Sequence, residues 1–115
     1  MKRYLILIAY EWSNWDTAAN AERREFIDGH AAFSAYVAEH GRELGSAALA
    51  DPDQATTLRR DGDRVVISDG PFAETVEGIG GYYDVELPDL DAAIAAARLL
   101  PPAYTLEIRP TVRVT

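Results

Sequence analysis

The sequence contains no cysteine. Disulfide bonds, thiol nucleophiles, cysteine-based zinc sites and iron–sulfur clusters are therefore excluded, and packing alone must stabilise the fold. Only two histidines are present, which disfavours a histidine-rich metal site. A P-loop, a dinucleotide-binding fingerprint and a Gly-x-Ser-x-Gly nucleophile motif are also missing. We expect neither a metal ion nor a cofactor.

Basic charge is scarce and scattered. Eleven Lys and Arg residues stand against 19 Asp and Glu residues, which gives a formal net charge of −8. An acidic surface repels phosphate backbones and anionic lipids, so we expect no direct nucleic-acid binding and no membrane binding. The apolar residues 4–10 precede Glu11 and no small-residue cleavage site follows, so they predict a strand rather than a signal peptide. A cytoplasmic location is expected.

Length and hydrophobic periodicity predict one α+β domain over residues 1–115, with 48% hydrophobic and 26% charged residues. The order of elements is strand, long helix, strand, hairpin, strand, helix and strand. The predicted ranges are 4–8, 18–44, 46–50, 56–60 with 64–68, 82–87, 92–100 and 104–109. This order is typical of a ferredoxin-like split β-α-β fold with an extra hairpin strand.

The predicted helices and the hairpin carry recognisable local signals. The long helix has an apolar stripe at spacings of four and three that includes both histidines: Phe26, His30, Phe33, Val37, His40 and Leu44. Gly29 weakens this helix by about 1 kcal/mol relative to alanine, and Gly45 provides a stop. Asp89 is expected to cap the second helix. Asp61-Gly62 predicts a type I′ hairpin turn.

A ferredoxin-like sheet with both helices on one side leaves its other face uncovered. We expect alternate residues of 4–8 and 65–67 to form an exposed apolar patch there. Two copies that pair sheet on sheet would bury this patch, so the sequence predicts a homodimer.

The turn over residues 69–74 is the first candidate site. Pro71 restricts its own φ and should push Gly70 towards an extended conformation. Asp69 then has two interpretations: it caps backbone N–H groups of the turn, or it presents a fixed carboxylate to a ligand. Glu74 and Glu77 add negative potential, which raises a carboxyl pKa or attracts a cation.

His30 is the second candidate. A histidine between Phe26 and Phe33 on an apolar helix face is either a satisfied core residue or, with a carboxylate partner such as Asp69, a proton-transfer group. Five aromatic side chains could line a pocket for a small apolar or aromatic ligand, or could serve only in core and dimer packing. The candidates are Trp12, Trp15, Phe72, Tyr82 and Tyr83.

The segment Asp69-Gly70-Pro71-Phe72-Ala73-Glu74-Thr75 resembles the signature of the YCII-related family, in its DGPF-domain branch. Val76 stands where that family commonly has lysine. The likeness extends to Glu77, Gly80-Gly81-Tyr82-Tyr83, Asp89-Leu90-Asp91-Ala92-Ala93 and Glu107-Ile108-Arg109-Pro110. The resemblance implies a dimeric α-β barrel and a His–Asp site in a cleft, for which His30 and Asp69 are the matching residues.

The resemblance also suggests two functions. Relatives of this fold include muconolactone isomerases and dehalogenating lyases that act on lactones. The first hypothesis is therefore a cofactor-independent lyase or isomerase with His30 and Asp69 as catalytic residues. Its substrate would be small, lactone-like or aromatic, and would be bound by Trp12, Trp15, Phe72 and Glu74. The alternative is a non-catalytic ligand-binding or regulatory dimer, linked to sigma-factor-dependent transcription through protein partners.

Overall fold

A computed structural model describes residues 1–10, 19–73 and 78–114. Its elements follow the predicted order. They are β1 (Lys2–Tyr10), α1 (Asn20–His40), β2 (Arg42–Ala48), β3 (Thr56–Asp61), β4 (Arg64–Asp69), β5 (Gly78–Leu87), α2 (Leu90–Ala97) and β6 (Thr105–Pro110), with a short 3₁₀ turn at Pro52–Gln54.

Four strands form an antiparallel sheet in the order β2-β5-β1-β6, and β3 pairs with β4 in a separate two-stranded sheet. Both helices pack against one face of the larger sheet. The fold is therefore α+β and of ferredoxin-like type, as the element order predicts. Neither of the described helices is both long and apolar enough to span a membrane.

The core lies between this sheet face and the two helices. Successive side chains of a strand point to opposite faces, so every second residue of β1 and β5 is buried. The buried hydrophobic residues of the sheet are Tyr4, Ile6, Ile8, Tyr83, Val85 and Leu87. Those of the helices are Phe33, Val37, Ala93, Ala96 and Ala97. Leu5 and Leu7 lie on the opposite face, which neither described helix covers, and are half-buried.

The first helix is shorter than predicted. It begins at Asn20 and ends at His40, and Arg42 already belongs to β2, so the prediction of helix to residue 44 is wrong. The stop is Gly41 and not Gly45. The backbone of Gly41 lies so close to the carbonyl oxygen of Glu86 that a Cβ atom would overlap it. This contact with β5 ends the helix, whereas Gly45 lies within β2.

The start of the second helix is confirmed. The side chain of Asp89 accepts a hydrogen bond of 2.9 Å from the backbone N–H of Ala92, as expected of an N-cap. The helix ends at Ala97, earlier than the predicted residue 100. The chain then turns through Pro101 and enters β6 immediately after Tyr104.

The hairpin is confirmed, but its turn type and its place are not. Among the described residues, only Gly62 and Gly70 have a positive φ, so Asp63 does not. A positive φ at the first of two central residues is the type II′ pattern, so the predicted type I′ turn is wrong. Residues 65–67 belong to the separate hairpin sheet, and the prediction that they lie on the open face of the main sheet is also wrong.

Candidate functional site

Two tyrosine hydroxyls hold the imidazole of His30. Its Nδ1 atom lies 2.6 Å from the hydroxyl oxygen of Tyr83, and its Nε2 atom lies 2.9 Å from that of Tyr104. His30 is on the sheet-facing side of α1, between Phe26 and Phe33. Tyr83 points from β5 towards the helices, and Tyr104 precedes β6. The site therefore joins a helix to two strands.

Aromatic rings surround the imidazole. The ring centroids of Phe26 and His30 are 4.7 Å apart, and those of Tyr10 and Tyr104 are 5.2 Å apart. The ring of Phe26 meets that of Tyr104 at a right angle, with 6.0 Å between centroids. We call these five residues the tyrosine–histidine cluster: Tyr10, Phe26, His30, Tyr83 and Tyr104.

Gly80 makes room for the outer part of the cluster. A Cβ atom at this position would lie 2.7 Å from the hydroxyl oxygen of Tyr10 and 2.8 Å from its Cζ atom. Such contacts are too short for any side chain, so the Tyr10 ring rests directly on the backbone of β5. The missing side chain of Gly80 thereby allows Tyr10 to pack against Tyr104.

Burial keeps the cluster uncharged near neutral pH. Desolvation lowers the pKa of His30 below its ordinary value, because it penalises the imidazolium. Desolvation also raises the pKa of both Tyr83 and Tyr104. A neutral imidazole donates from one ring nitrogen and accepts at the other, so one tyrosine accepts a hydrogen bond from His30 and the other donates one.

Asp69 is the last residue of β4, and its side chain is exposed. Neither of the two hydrogen bonds described for the His30 ring involves Asp69. Two tyrosine hydroxyls orient the imidazole in the described structure. The His30–Asp69 pair stays a prediction.

Two hydrogen bonds among the described residues fix Gly70 in the turn after β4. The Thr57 hydroxyl donates to the carbonyl oxygen of Gly70 at 2.7 Å, and the Gly70 N–H donates to Ala55 at 2.7 Å. Gly70 has a φ of +97°, so the predicted extended conformation is wrong. Because glycine lacks Cβ, the restriction that a following proline imposes is weak, and the turn uses a conformation that other residues rarely adopt.

The remaining predicted pocket residues are only partly described. Phe72 is 78% exposed, and its carbonyl oxygen accepts a hydrogen bond of 3.0 Å from Arg59. Trp12, Trp15 and Glu74 lie outside the described residues. Their contribution to a pocket stays a prediction. Within residues 1–10, 19–73 and 78–114, there is no group of three or more side chains that could hold a metal ion.

Sequence reasoning found His30 but missed both of its partners. Tyr83 alternates with Val85 and Leu87, which predicts that it faces the core, and a buried tyrosine hydroxyl needs a hydrogen-bond partner. Tyr104 has the same parity as Leu106 in the last strand. These patterns indicate that two tyrosines point towards α1, but the partner of each hydroxyl depends on the tertiary fold.

Known proteins of one family resemble this chain. The family model described as the YCII-related domain matches residues 3–113. An uncharacterized protein of Rhizobium meliloti is 37% identical over 76 residues, which is 63% of this chain and 61% of the relative. The match therefore spans about three fifths of the relative's length. The family model covers nearly all of this chain, so the predicted family is confirmed and the protein belongs to the YCII-related family.

Proposed function

We propose that the protein is a small cofactor-independent enzyme of the lyase or isomerase type, in which His30 carries a proton during the reaction. The observation that supports this is the pair of hydrogen bonds, 2.6 Å and 2.9 Å long, that fix His30 between two tyrosine hydroxyls. A fixed imidazole near neutral pH is a common group for general acid–base catalysis.

The hydrogen bonds suit both protonation states of His30. The neutral ring accepts from one hydroxyl and donates to the other, and the imidazolium can donate to both hydroxyl oxygens. Because burial lowers its pKa, His30 is neutral at pH 7 and acts first as the base. Both nitrogens are occupied, so the proton reaches the ring through a tyrosine hydroxyl and returns by the same path.

The surroundings favour a small, flat substrate, either lactone-like or aromatic. Phe26 is 36% exposed and Tyr10 is half-buried, so both present apolar ring surface beside Tyr104. We also propose that Asp69 contributes a carboxylate to the site. Trp12, Trp15, Phe72 and Glu74 are proposed to complete the substrate pocket.

We propose that the functional unit is a homodimer. Leu58 and Ile67 face each other across the hairpin and are 57% and 65% exposed. An isolated two-stranded hairpin is only marginally stable in water, so a covering surface is expected. The Cα radius of gyration is 16.4 Å, compared with about 13 Å for a compact domain of this length. The hairpin thus extends from the domain, and contact with a second copy of the chain would stabilise it.

The exposed hairpin also favours the second candidate function, a non-catalytic ligand-binding or regulatory dimer. Apolar hairpin residues in contact with another protein would explain their exposure without any chemistry at His30. Such a dimer could act in sigma-factor-dependent transcription through protein partners.

Substrate turnover separates the two functions. Small lactones and cyclic enols are screened with the full chain, and the best substrate is then tested on His30→Ala. We expect the rate to fall by about 10²–10⁴-fold, the usual contribution of a positioned acid–base group. His40→Ala is the matched control, because the hydrogen bond described for His40 runs from its Nδ1–H to the backbone of its own helix at Tyr36. Full turnover by His30→Ala would refute the proposed mechanism.

A further inference from the structure

We propose that Tyr104 is the residue that contacts the ligand, and that the ligand is a planar molecule with an acidic or anionic oxygen on its edge, such as a phenol or an enol. This inference rests on the proposed function, because it names the contact atom and the ligand class of the same site. It also assigns different roles to two tyrosines that make similar hydrogen bonds.

Tyr83 is the inner partner of His30. It is 9% exposed, and its ring centroid lies 4.3 Å from that of Phe33 in the core. Its hydroxyl lies 2.6 Å from Nδ1 of His30. A side chain enclosed in this way can hold the imidazole in place but offers little surface to a ligand. Tyr83 is therefore a positioning residue.

Tyr104 is the outer partner. It is half-buried and lies in the turn before β6, where its N–H donates to the carbonyl oxygen of Pro101 at 3.1 Å. Its ring packs between those of Tyr10 and Phe26, both of which retain exposed surface. A ligand at this end of the cluster can bond to the Tyr104 hydroxyl, which is itself bonded to Nε2 of His30.

The hydroxyl of Tyr104 has hydrogen-bonding capacity in both tautomers of His30. If Nε2–H donates to Tyr104, the hydroxyl proton of Tyr104 can be donated to an anionic oxygen of the ligand. If Tyr104 donates to Nε2, its oxygen can accept a hydrogen bond from a ligand O–H group. A ligand with one acidic oxygen fits both arrangements.

Proton transfer through Tyr104 balances without another reactant. The ligand O–H bond breaks and its proton moves to Oη of Tyr104, while the hydroxyl proton of Tyr104 moves to Nε2 of His30. The products are the ligand anion and an imidazolium that donates to both tyrosine oxygens. The reverse transfer restores the starting groups. Aromatic surface beside a donor favours a flat molecule whose developing charge lies on one oxygen.

The test uses 4-nitrophenol, whose ionised form absorbs visible light. The full chain is titrated with the probe at a pH where the probe is ionised, and the dissociation constant is measured from the absorbance change. Loss of a hydrogen bond to a charged oxygen should weaken binding at least about tenfold in Tyr104→Phe. Tyr36→Phe is the matched control, because this half-buried tyrosine stacks on His40. It should bind the probe as the unchanged chain does.

A second measurement does not require the variant to fold. In the ¹⁵N spectrum of the unchanged chain, the probe should shift the Nε2 resonance of His30 more than the Nδ1 resonance, because Nε2 adjoins Tyr104. A larger shift at Nδ1 would overturn the assignment, as would equal affinity of Tyr104→Phe and the unchanged chain, or no binding at all. Binding needs no turnover, so this inference and the proposed catalysis can fail separately.

Discussion

The Nδ1 atom of His30 lies 2.6 Å from the hydroxyl oxygen of Tyr83, so a short hydrogen bond joins the middle of α1 to β5. On the other side of the same ring, Nε2 is bonded to Tyr104, just before β6. One side chain thus connects three elements of the fold. Its protonation state should therefore influence stability as well as any reaction.

The first prediction concerns stability and pH. Burial lowers the pKa of folded His30, so the unfolded chain binds a proton more readily below the ordinary histidine pKa of about 6.5. The contribution of His30 to the free energy of unfolding is complete above about pH 6.5. It is lost as the pH falls from there through the folded pKa. Urea unfolding at a series of pH values measures this slope.

The matched variants for this prediction are His30→Gln and His40→Gln. His30→Gln should flatten the dependence of the free energy of unfolding on pH below about pH 6.5. His40→Gln should retain the part of this dependence that comes from His30. Arg3 lowers the pKa of Asp84 through their hydrogen bonds, so protonation of that carboxyl affects stability only at lower pH. Equal slopes in the unchanged chain and His30→Gln would contradict the prediction.

The second prediction concerns Gly29 in the middle of α1. Helix propensity alone favours Gly29→Ala by about 1 kcal/mol. However, a Cβ atom there would lie 2.9 Å from Cδ of Pro101 and 3.1 Å from the carbonyl oxygen of Leu99. We expect the overpacking cost of about 1–3 kcal/mol to exceed the propensity gain, so the variant unfolds at lower urea. Gly45→Ala is the control, because a Cβ atom at Gly45 meets nothing within 4 Å. If Gly29→Ala is more stable than the unchanged chain, the turn at Pro101 shifts away from the new methyl group at little cost in free energy.

Local sequence signals predicted much of the fold. The alternation of Tyr4, Ile6 and Ile8 identifies both β1 and its buried face, because the side-chain period of a strand is two residues. Asp89 marks the start of α2, because an N-cap hydrogen bond involves only neighbouring residues. Signals of this kind require no knowledge of the tertiary structure.

Two of the errors involve contacts between residues far apart in the chain. The end of α1 depends on how closely Gly41 approaches Glu86 of β5, and the apolar stripe of the helix contains no trace of that contact. The hydrogen bond between His30 and Tyr104 is also a long-range contact, because the two residues are 74 positions apart in the chain. A histidine on an apolar helix face indicates that a partner is needed, but carboxylates and hydroxyls both satisfy it.

The third prediction tests the packing of Tyr10 on Gly80. Gly80→Ala should displace the Tyr10 ring, because the new methyl group would lie 2.8 Å from its Cζ atom. This displacement should disturb the ring contact with Tyr104 and destabilise the chain by no more than about 1–3 kcal/mol, because the clashing atoms are at the end of a half-buried side chain. In a double-mutant cycle, Gly80→Ala should lower the free energy of unfolding much less in the Tyr10→Ala variant than in the unchanged chain, because the clashing ring is absent from that variant. If the losses of stability from the two substitutions are additive, the effect of Gly80→Ala does not come from the Tyr10 ring.

The last prediction concerns assembly. Light scattering of the full chain at micromolar concentration should show a dimer, and Ile67→Lys should shift it towards monomer. The reason is that Ile67 is 65% exposed beside Leu58 on the hairpin, and a charge there would have to be buried in the interface. Val112→Lys is the control, because Val112 is also apolar and is even more exposed, at 82%, but lies beyond β6. If the unchanged chain is monomeric, the hairpin must be stable alone or be covered by another protein, and the proposed homodimer is wrong.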